Sequence, residues 1–238
     1  VDVLYQGSQH FAARGSDAVE RRTEARLRRR DLRSLFVDGE GVLWVGSENR
    51  GLLRCLGESE CTAIGTEGGL SHDYVRSLAA DREGALWVGT NGGINQLWDA
   101  KFIAHTTLDG LGNDYSRTVF EDVDGSLWIG TEGGLNLLAS ADEGFVRYRH
   151  DPDDPNSLAG ETVRAIAEDA EGFLWVGTQG DGLDRFDPSS GVFHHHRHDA
   201  EDSASLPDDD VRRGRERDVR AGHSGLPRRR HGHAVHPR

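Results

Sequence analysis

Four times in 238 residues the chain repeats one phrase: an acidic turn, a Leu-Trp pair, a Gly-Thr or Gly-Ser pair, and a second short apolar run. It reads "GEGVLWVGSENRGLLRC" from Gly39, "REGALWVGTNGGINQLW" from Arg82, "VDGSLWIGTEGGLNLLA" from Val123 and "EGFLWVGTQGDGLDRF" from Glu171. The tryptophans are Trp44, Trp87, Trp128 and Trp175, at steps of 43, 41 and 47 residues. A second motif starts twelve residues before each of them: Leu32-Arg33-Ser34-Leu35, Val75-Arg76-Ser77-Leu78, Ser116-Arg117-Thr118-Val119 and Val163-Arg164-Ala165-Ile166. Two motifs at one fixed offset, found four times, define a structural repeat of the length that marks propellers and solenoids.

Each repeat reads as four short strands. The "VRSL" type segment meets an Asp-x-x-Gly turn at Asp38 to Gly41, Asp81 to Gly84, Asp122 to Gly125 and Asp169 to Gly172, where Asp bonds locally and Gly supplies positive φ. "LWVG" follows, rich in residues suited to a pleated, half-buried surface. A glycine turn leads to a third strand such as "GLDRF" from Gly182, and a fourth starts near Phe102, Phe145 or Phe193. A helix would carry several interior glycines per repeat, each costing about 1 kcal/mol. The predicted fold is all-β: a β-propeller of four-stranded antiparallel blades, with four blades and the start of a fifth over residues 32–211, an incomplete ring. Residues 1–31 and 212–238 lack the pattern.

The pattern D-x-x-G-x-L-W-[VI]-G-T-x-x-G-[LI] resembles the two-component regulator propeller repeat. That resemblance implies the ligand-sensing, extracytoplasmic part of a bacterial histidine kinase, hybrid two-component or diguanylate cyclase receptor. In that family the propeller has seven blades and is followed by a β-sandwich, a membrane helix and an output domain. The expectations that follow are a periplasmic, non-enzymatic module whose parent carries the kinase or cyclase, a small-molecule or glycan ligand, and a homodimer of the parent receptor as an assembly open to it. An interaction scaffold is the alternative, and a polysaccharide-processing enzyme on the same architecture ranks third, because fold alone does not separate them.

Charge narrows the classes. Residues 32–211 hold 34 acidic against 12 basic side chains, a sign that repels phosphate backbones, so no nucleic-acid partner is expected. No apolar run is long enough to cross a membrane, and no direct membrane contact is expected of this segment.

The motif tryptophans, recurring at one offset, are expected in the packing between sheets; Trp98 has no such counterpart and is the tryptophan better suited to a ligand. The Asp turns differ from the sialidase Asp-box, which needs Asp two residues before the glycine, where this chain has Gly39, Arg82, Val123 and Ala170, and no carboxylate pair stands out as acid and base. In "FHHHRHD" from Phe193, alternation sends His194 and His195 to opposite faces, against a three-histidine zinc site. "DPDDPNS" from Asp151 has calcium-like oxygen spacing, yet "DAEDSAS" repeats it after the next fourth strand, which favours a solvated connection between blades. No metal or cofactor is expected. Cys55 and Cys61 flank a hairpin, as a disulfide or as a reduced buried pair; a bridge would fit an oxidising compartment.

Loop residues that differ between repeats are Asn49, Arg50, His72, Asp73, Asn91 and Trp98. The sequence does not say which face they share, and no site residue is assigned. Residues 1–31 read as a poorly patterned, disordered segment; after "PDDDVR" the pattern is lost, and residues 212–238 read either as a basic, disordered tail or, the preferred expectation, as a shifted reading frame, since codons for His223-Ser224-Gly225 can spell Leu-Trp in another frame. The expected arc would be marginal alone, having two open edges.

Overall fold

The computed structural model describes residues 31–56, 60–140 and 144–212. The expectations for the two chain ends lie outside these residues. Sixteen strands form four antiparallel four-stranded meanders, each with strands in chain order. Blade 1 comprises β1 (Leu32–Val37), β2 (Leu43–Ser47), β3 (Leu52–Leu56) and β4 (Glu60–Ile64); blade 2 comprises β5 (Val75–Ala80), β6 (Leu86–Thr90), β7 (Gly93–Trp98) and β8 (Lys101–His105). Blade 3 has β9 (Ser116–Glu121), β10 (Leu127–Thr131), β11 (Gly134–Ser140) and β12 (Gly144–Tyr148); blade 4 has β13 (Val163–Glu168), β14 (Leu174–Thr178), β15 (Leu183–Asp187) and β16 (Val192–His196). β1 packs against β5, β5 against β9 and β9 against β13, so the first strands line the inside of an arc. The described sheets do not close a ring.

The acidic turn and the tryptophan form one device. Asp38 Oδ1 accepts from the amides of Glu40 and Val42, while Oδ2 accepts from Trp44 Nε1 at 2.8 Å. Equivalent indole bonds join Trp87 to Asp81, Trp128 to Asp122 and Trp175 to Asp169, at 2.7, 2.7 and 3.0 Å. The turn closes on a glycine at positive φ, 79° at Gly41 and 90° at Gly125, a conformation that costs a residue with a Cβ. A buried indole N–H is costly without an acceptor, and this Asp supplies one six residues upstream.

Packing between blades follows from strand alternation. Trp44 and Leu52 face blade 2, meeting Val75, Leu78, Leu86 and Val88. Trp87 and Ile94 face blade 3, against Val119, Leu127 and Ile129. Trp128 and Leu135 face blade 4, against Val163, Ile166, Leu174 and Phe186. The middle blades are therefore buried on both faces, which is why "LWVG" is apolar throughout rather than alternating. Trp175 faces the open side of blade 4 and keeps partial exposure, its ring 5.3 Å from that of His196.

The glycine after each "LWV" fits a close approach. A Cβ on Gly46 would lie 2.7 Å from Val75 Cγ1, and one on Gly177 would lie 2.8 Å from Val211 Cγ1. Val211 thus docks on blade 4 as the first residue of each later blade docks on its predecessor, and its amide bonds Thr178 O at 3.0 Å.

Cys55 and Cys61 stand opposite each other in the β3–β4 register and are joined by a disulfide. Their places in the other blades are taken by the apolar pairs Leu97 and Phe102, Leu138 and Phe145, and Phe186 and Phe193. Connections within a blade are short, but those between blades are longer than hairpin turns, and the first two carry a short 3-10 turn at Thr66–Gly68 and Thr107–Asp109.

Candidate functional site on the loop face

The four-stranded meander sends two kinds of connection to the same side of the arc: the turns between second and third strands, and the long connections that enter the next blade. Gly51 N donates to Asp73 O at 2.9 Å, Gly93 N to Asp114 O at 2.7 Å and Gly182 N to Asp209 O at 2.9 Å, so the turns of blades 1, 2 and 4 are tied to the entry segment that follows. Inside each turn a buried hydroxyl holds the shape: Ser47 donates to Gly51 O, Thr90 to Gly93 O, Thr131 to Gly134 O and Thr178 to Gly182 O.

Five of the six variable loop residues meet on this face. Asn49, Arg50 and Asn91 lie in the turns, and His72 and Asp73 lie in the loop that enters blade 2. Asp73 Oδ1 accepts from Thr66 N at 2.8 Å and His72 Nδ1 from Tyr74 N at 2.9 Å. The sixth, Trp98, ends β7 and is 49% exposed. It pairs with Lys101 across the Asp99-Ala100 turn, which places it on the opposite side of the arc from the other five.

Anchors of the entry loops are a feature the sequence reading did not single out. Asn95 Oδ1 accepts from Ser71 N and Asn136 Oδ1 from Gly112 N, while Asp184 Oδ2 accepts from Ala159 N at 2.8 Å. All three side chains are fully buried, and Leu53 holds the equivalent register in blade 1. Asp184 also meets His195 Nδ1 at 2.7 Å, and His195 Nε2 lies 2.9 Å from Pro155 O. Burial raises the Asp184 carboxyl above the usual range, against the opposing contributions of Ala159 N and His195.

The two acidic connections agree bond for bond. Asp151 N donates to Ser157 Oγ and Asp199 N to Ser205 Oγ; His150 Nδ1 meets Leu158 O and His198 Nδ1 meets Leu206 O. Asp151 and Asp154 turn inward to Asp153 N and Asn156 N, as Asp199 and Asp202 do to Glu201 N and Ala204 N. One oxygen of each of these carboxylates accepts from a loop amide, and both segments connect a fourth strand to the next blade entry. Of the histidine run, His195 serves the Asp184 anchor, His196 lies by Trp175 and His194 is exposed.

Each first strand carries one arginine; in blades 1 to 3 it meets a residue in the turn of its own sheet, and in blade 4 it meets Asp210 in the segment that follows the blade. Arg33 pairs with Glu48 at 3.0 Å and Arg117 with Glu132, Arg76 Nε donates to Asn91 Oδ1, and Arg164 pairs with Asp210 at 3.0 Å. The turn position is structurally equivalent in every blade, since the amides of Glu48, Asn91, Glu132 and Gln179 donate to Asp31 O, Tyr74 O, Tyr115 O and Thr162 O, but in blade 4 it holds Gln179 and Arg164 takes Asp210 instead. These four arginines are a third of the twelve basic side chains in the repeat body.

Residues 69–92, 110–133 and 157–180 match the family model described as two component regulator propeller. These three segments are matches to the two component regulator propeller repeat. Each matched segment runs from an entry loop through two strands into the next turn, so it includes the first-strand arginine, the Asp turn and the tryptophan. Among solved structures, this propeller is similar to the extracellular domains of two putative hybrid two component systems from B. thetaiotaomicron. One is 24% identical, with a TM-score of 0.60 over 69% of this chain and 23% of that one; the other is 27% identical, with a TM-score of 0.58 over 69% and 25%. The chain thus spans about a quarter of their length. It also resembles a virginiamycin B lyase from Staphylococcus aureus, at 16% identity and a TM-score of 0.53 over 68% of this chain and 54% of that one, a likeness of fold alone. No curated protein matches the chain.

Proposed function

We propose that the regulator propeller is the ligand-sensing part of an extracytoplasmic receptor domain in a bacterial two-component system, and is not itself an enzyme. The observation that carries this reading is the joint one: three repeats match the two component regulator propeller, and the same arc is similar to extracellular domains of hybrid two component systems. The Cys55–Cys61 disulfide supports an oxidising compartment, in line with a periplasmic location. A small molecule or glycan binds on the loop face, where five variable residues gather, and acts by favouring one of two receptor conformations.

The test is a thermal-shift screen of the 238-residue chain against sugars, oligosaccharides and small organic acids. Bound ligand raises the melting point by mass action, and Asn49→Ala or His72→Ala on the loop face lowers that gain while Trp98→Ala leaves it. A screen with no shift, together with capture of one stoichiometric protein partner, would favour the scaffold reading instead.

A further inference from the structure

Three of the four first-strand arginines are neutralised by a carboxylate. Arg33 has Glu48, Arg117 has Glu132 and Arg164 has Asp210. Arg76 is the exception: at the position where blades 1 and 3 place Glu48 and Glu132, blade 2 has Asn91, whose neutral amide oxygen accepts from Arg76 Nε. Among the described residues Arg76 makes no ion pair. The side chain is partly buried, and its Cζ lies 4.5 Å from the centre of the Tyr74 ring, with Arg33 Cζ 5.6 Å from the same ring. Burial lowers the Arg76 pKa, and Arg117 is the next contributor in the same direction. The positive charge is therefore held by the fold without an ion pair of its own: Arg117 and Arg33 oppose it, and Glu132, bonded to Arg117, offsets them only from the neighbouring pair.

We propose that Arg76, Asn91 and Tyr74, with Arg33 and Arg117 on either side, form a subsite for the anionic group of a ligand, a carboxylate or sulfate, on the loop face of blade 2. A guanidinium that keeps its Nη donors free of protein carboxylates binds an oxyanion with two parallel bonds, and the low-dielectric flank of Tyr74 strengthens that attraction relative to open solvent. Asn91 fixes the Arg76 fork through Nε without competing for its charge. The strongly acidic body makes the arrangement selective: anions are repelled elsewhere and attracted here. The inference deepens the ligand-sensing reading and rests on it only in taking this face as the ligand face.

The deciding variant is Asn91→Glu. It copies the residue found at this place in blades 1 and 3, so it preserves the fold while supplying Arg76 with an internal carboxylate. The full chain would be titrated calorimetrically at low ionic strength with sodium glucuronate, with sodium sulfate and with neutral glucose. Saturable binding of glucuronate or sulfate, weakened at least tenfold by Asn91→Glu and by Arg76→Gln but not by Arg164→Gln, is the expected result; the stronger probe tells carboxylate from sulfate. No saturable binding of either anion, or binding that Asn91→Glu leaves unchanged, overturns the proposal. A neutral sugar that binds equally to the parent chain and to Asn91→Glu overturns it too, while leaving the ligand-sensing reading standing. The melting point of Asn91→Glu, no lower than that of the parent chain, certifies that any loss is not unfolding.

Discussion

The Cβ that Gly130 lacks would stand 2.6 Å from Val163 Cγ1, and as close to Thr118 Cγ2. Gly130 belongs to blade 3 and Val163 begins blade 4, so one missing carbon sets how closely the two sheets meet. Gly130→Ala is expected to cost about 1–3 kcal/mol through overpacking. Gly39→Ala, where nothing lies within 4 Å of the added carbon, is the matched control and should stay within about 0.5 kcal/mol of the parent. Urea unfolding of the two variants checks the contrast.

Asp122 gathers three donors: the amides of Asp124 and Ser126, and Trp128 Nε1 at 2.7 Å. Asp122→Ala strands a buried indole N–H and two turn amides, and should cost about 2–4 kcal/mol. Trp128→Phe loses the same indole bond together with packing in a site that is 1% exposed. The double variant should destabilise by less than the sum of the two single changes, because they share one interaction. Chemical denaturation of all four proteins closes the cycle.

Asp184 carries a pH signature. Its raised carboxyl pKa means the folded chain keeps that proton to higher pH than the unfolded chain, where Asp titrates near 4. Its contribution to stability is therefore greatest below about pH 4 and is lost as pH rises through the folded-state value. Asp184→Asn, which copies Asn95 and Asn136, removes this slope. The stability of Asp184→Asn relative to the parent should grow between about pH 4 and pH 7, as read by urea unfolding at several pH values.

The disulfide closes a small loop. Converting both Cys55 and Cys61 to serine should lower stability by about 2 kcal/mol on the chain-entropy account, and a reducing agent should reproduce the loss in the parent chain but not in the double variant. Differential scanning fluorimetry with and without reductant reads both effects.

Ala100 has φ 60° and Asp99 φ 49° in the two-residue turn between β7 and β8, values that hairpin turns of this kind normally assign to Asn and Gly. Ala100→Gly should relieve the strain and stabilise by up to about 1 kcal/mol. A rise in melting point is the expected result, and a fall would show that Ala100 makes contacts that outweigh its backbone cost.

The repeat made the blades legible because every blade uses the same residues for the same purposes. Trp44, Trp87 and Trp128 could be placed in the packing between sheets from their fixed offset, and Cys55 opposite Cys61 could be read from their alignment with Leu97 and Phe102. The loop face was not legible for a related reason. Periodicity identifies what blades share, whereas the side that gathers Asn49, His72 and Asn91, and excludes Trp98, depends on which end of each strand a turn occupies. The three anchors were hidden as well: Asn95, Asn136 and Asp184 sit inside apolar strands and bond amides some two dozen residues away. Arg76 appeared in the repeated motif from the start, but its lack of a carboxylate emerges only when Asn91 is seen across from it.

The seating of Val211 against Gly177 has a consequence for how such chains lengthen. Each blade carries a socket at its second strand and a plug at the start of its first, so a segment copied whole brings both halves of the joint with it. A duplicated blade meets its neighbours through residues already matched, and surface turns are left to diverge one at a time. The turn position that holds Glu48, Asn91, Glu132 and Gln179 in the four blades differs in this way, at a place where the joint does not depend on the side chain.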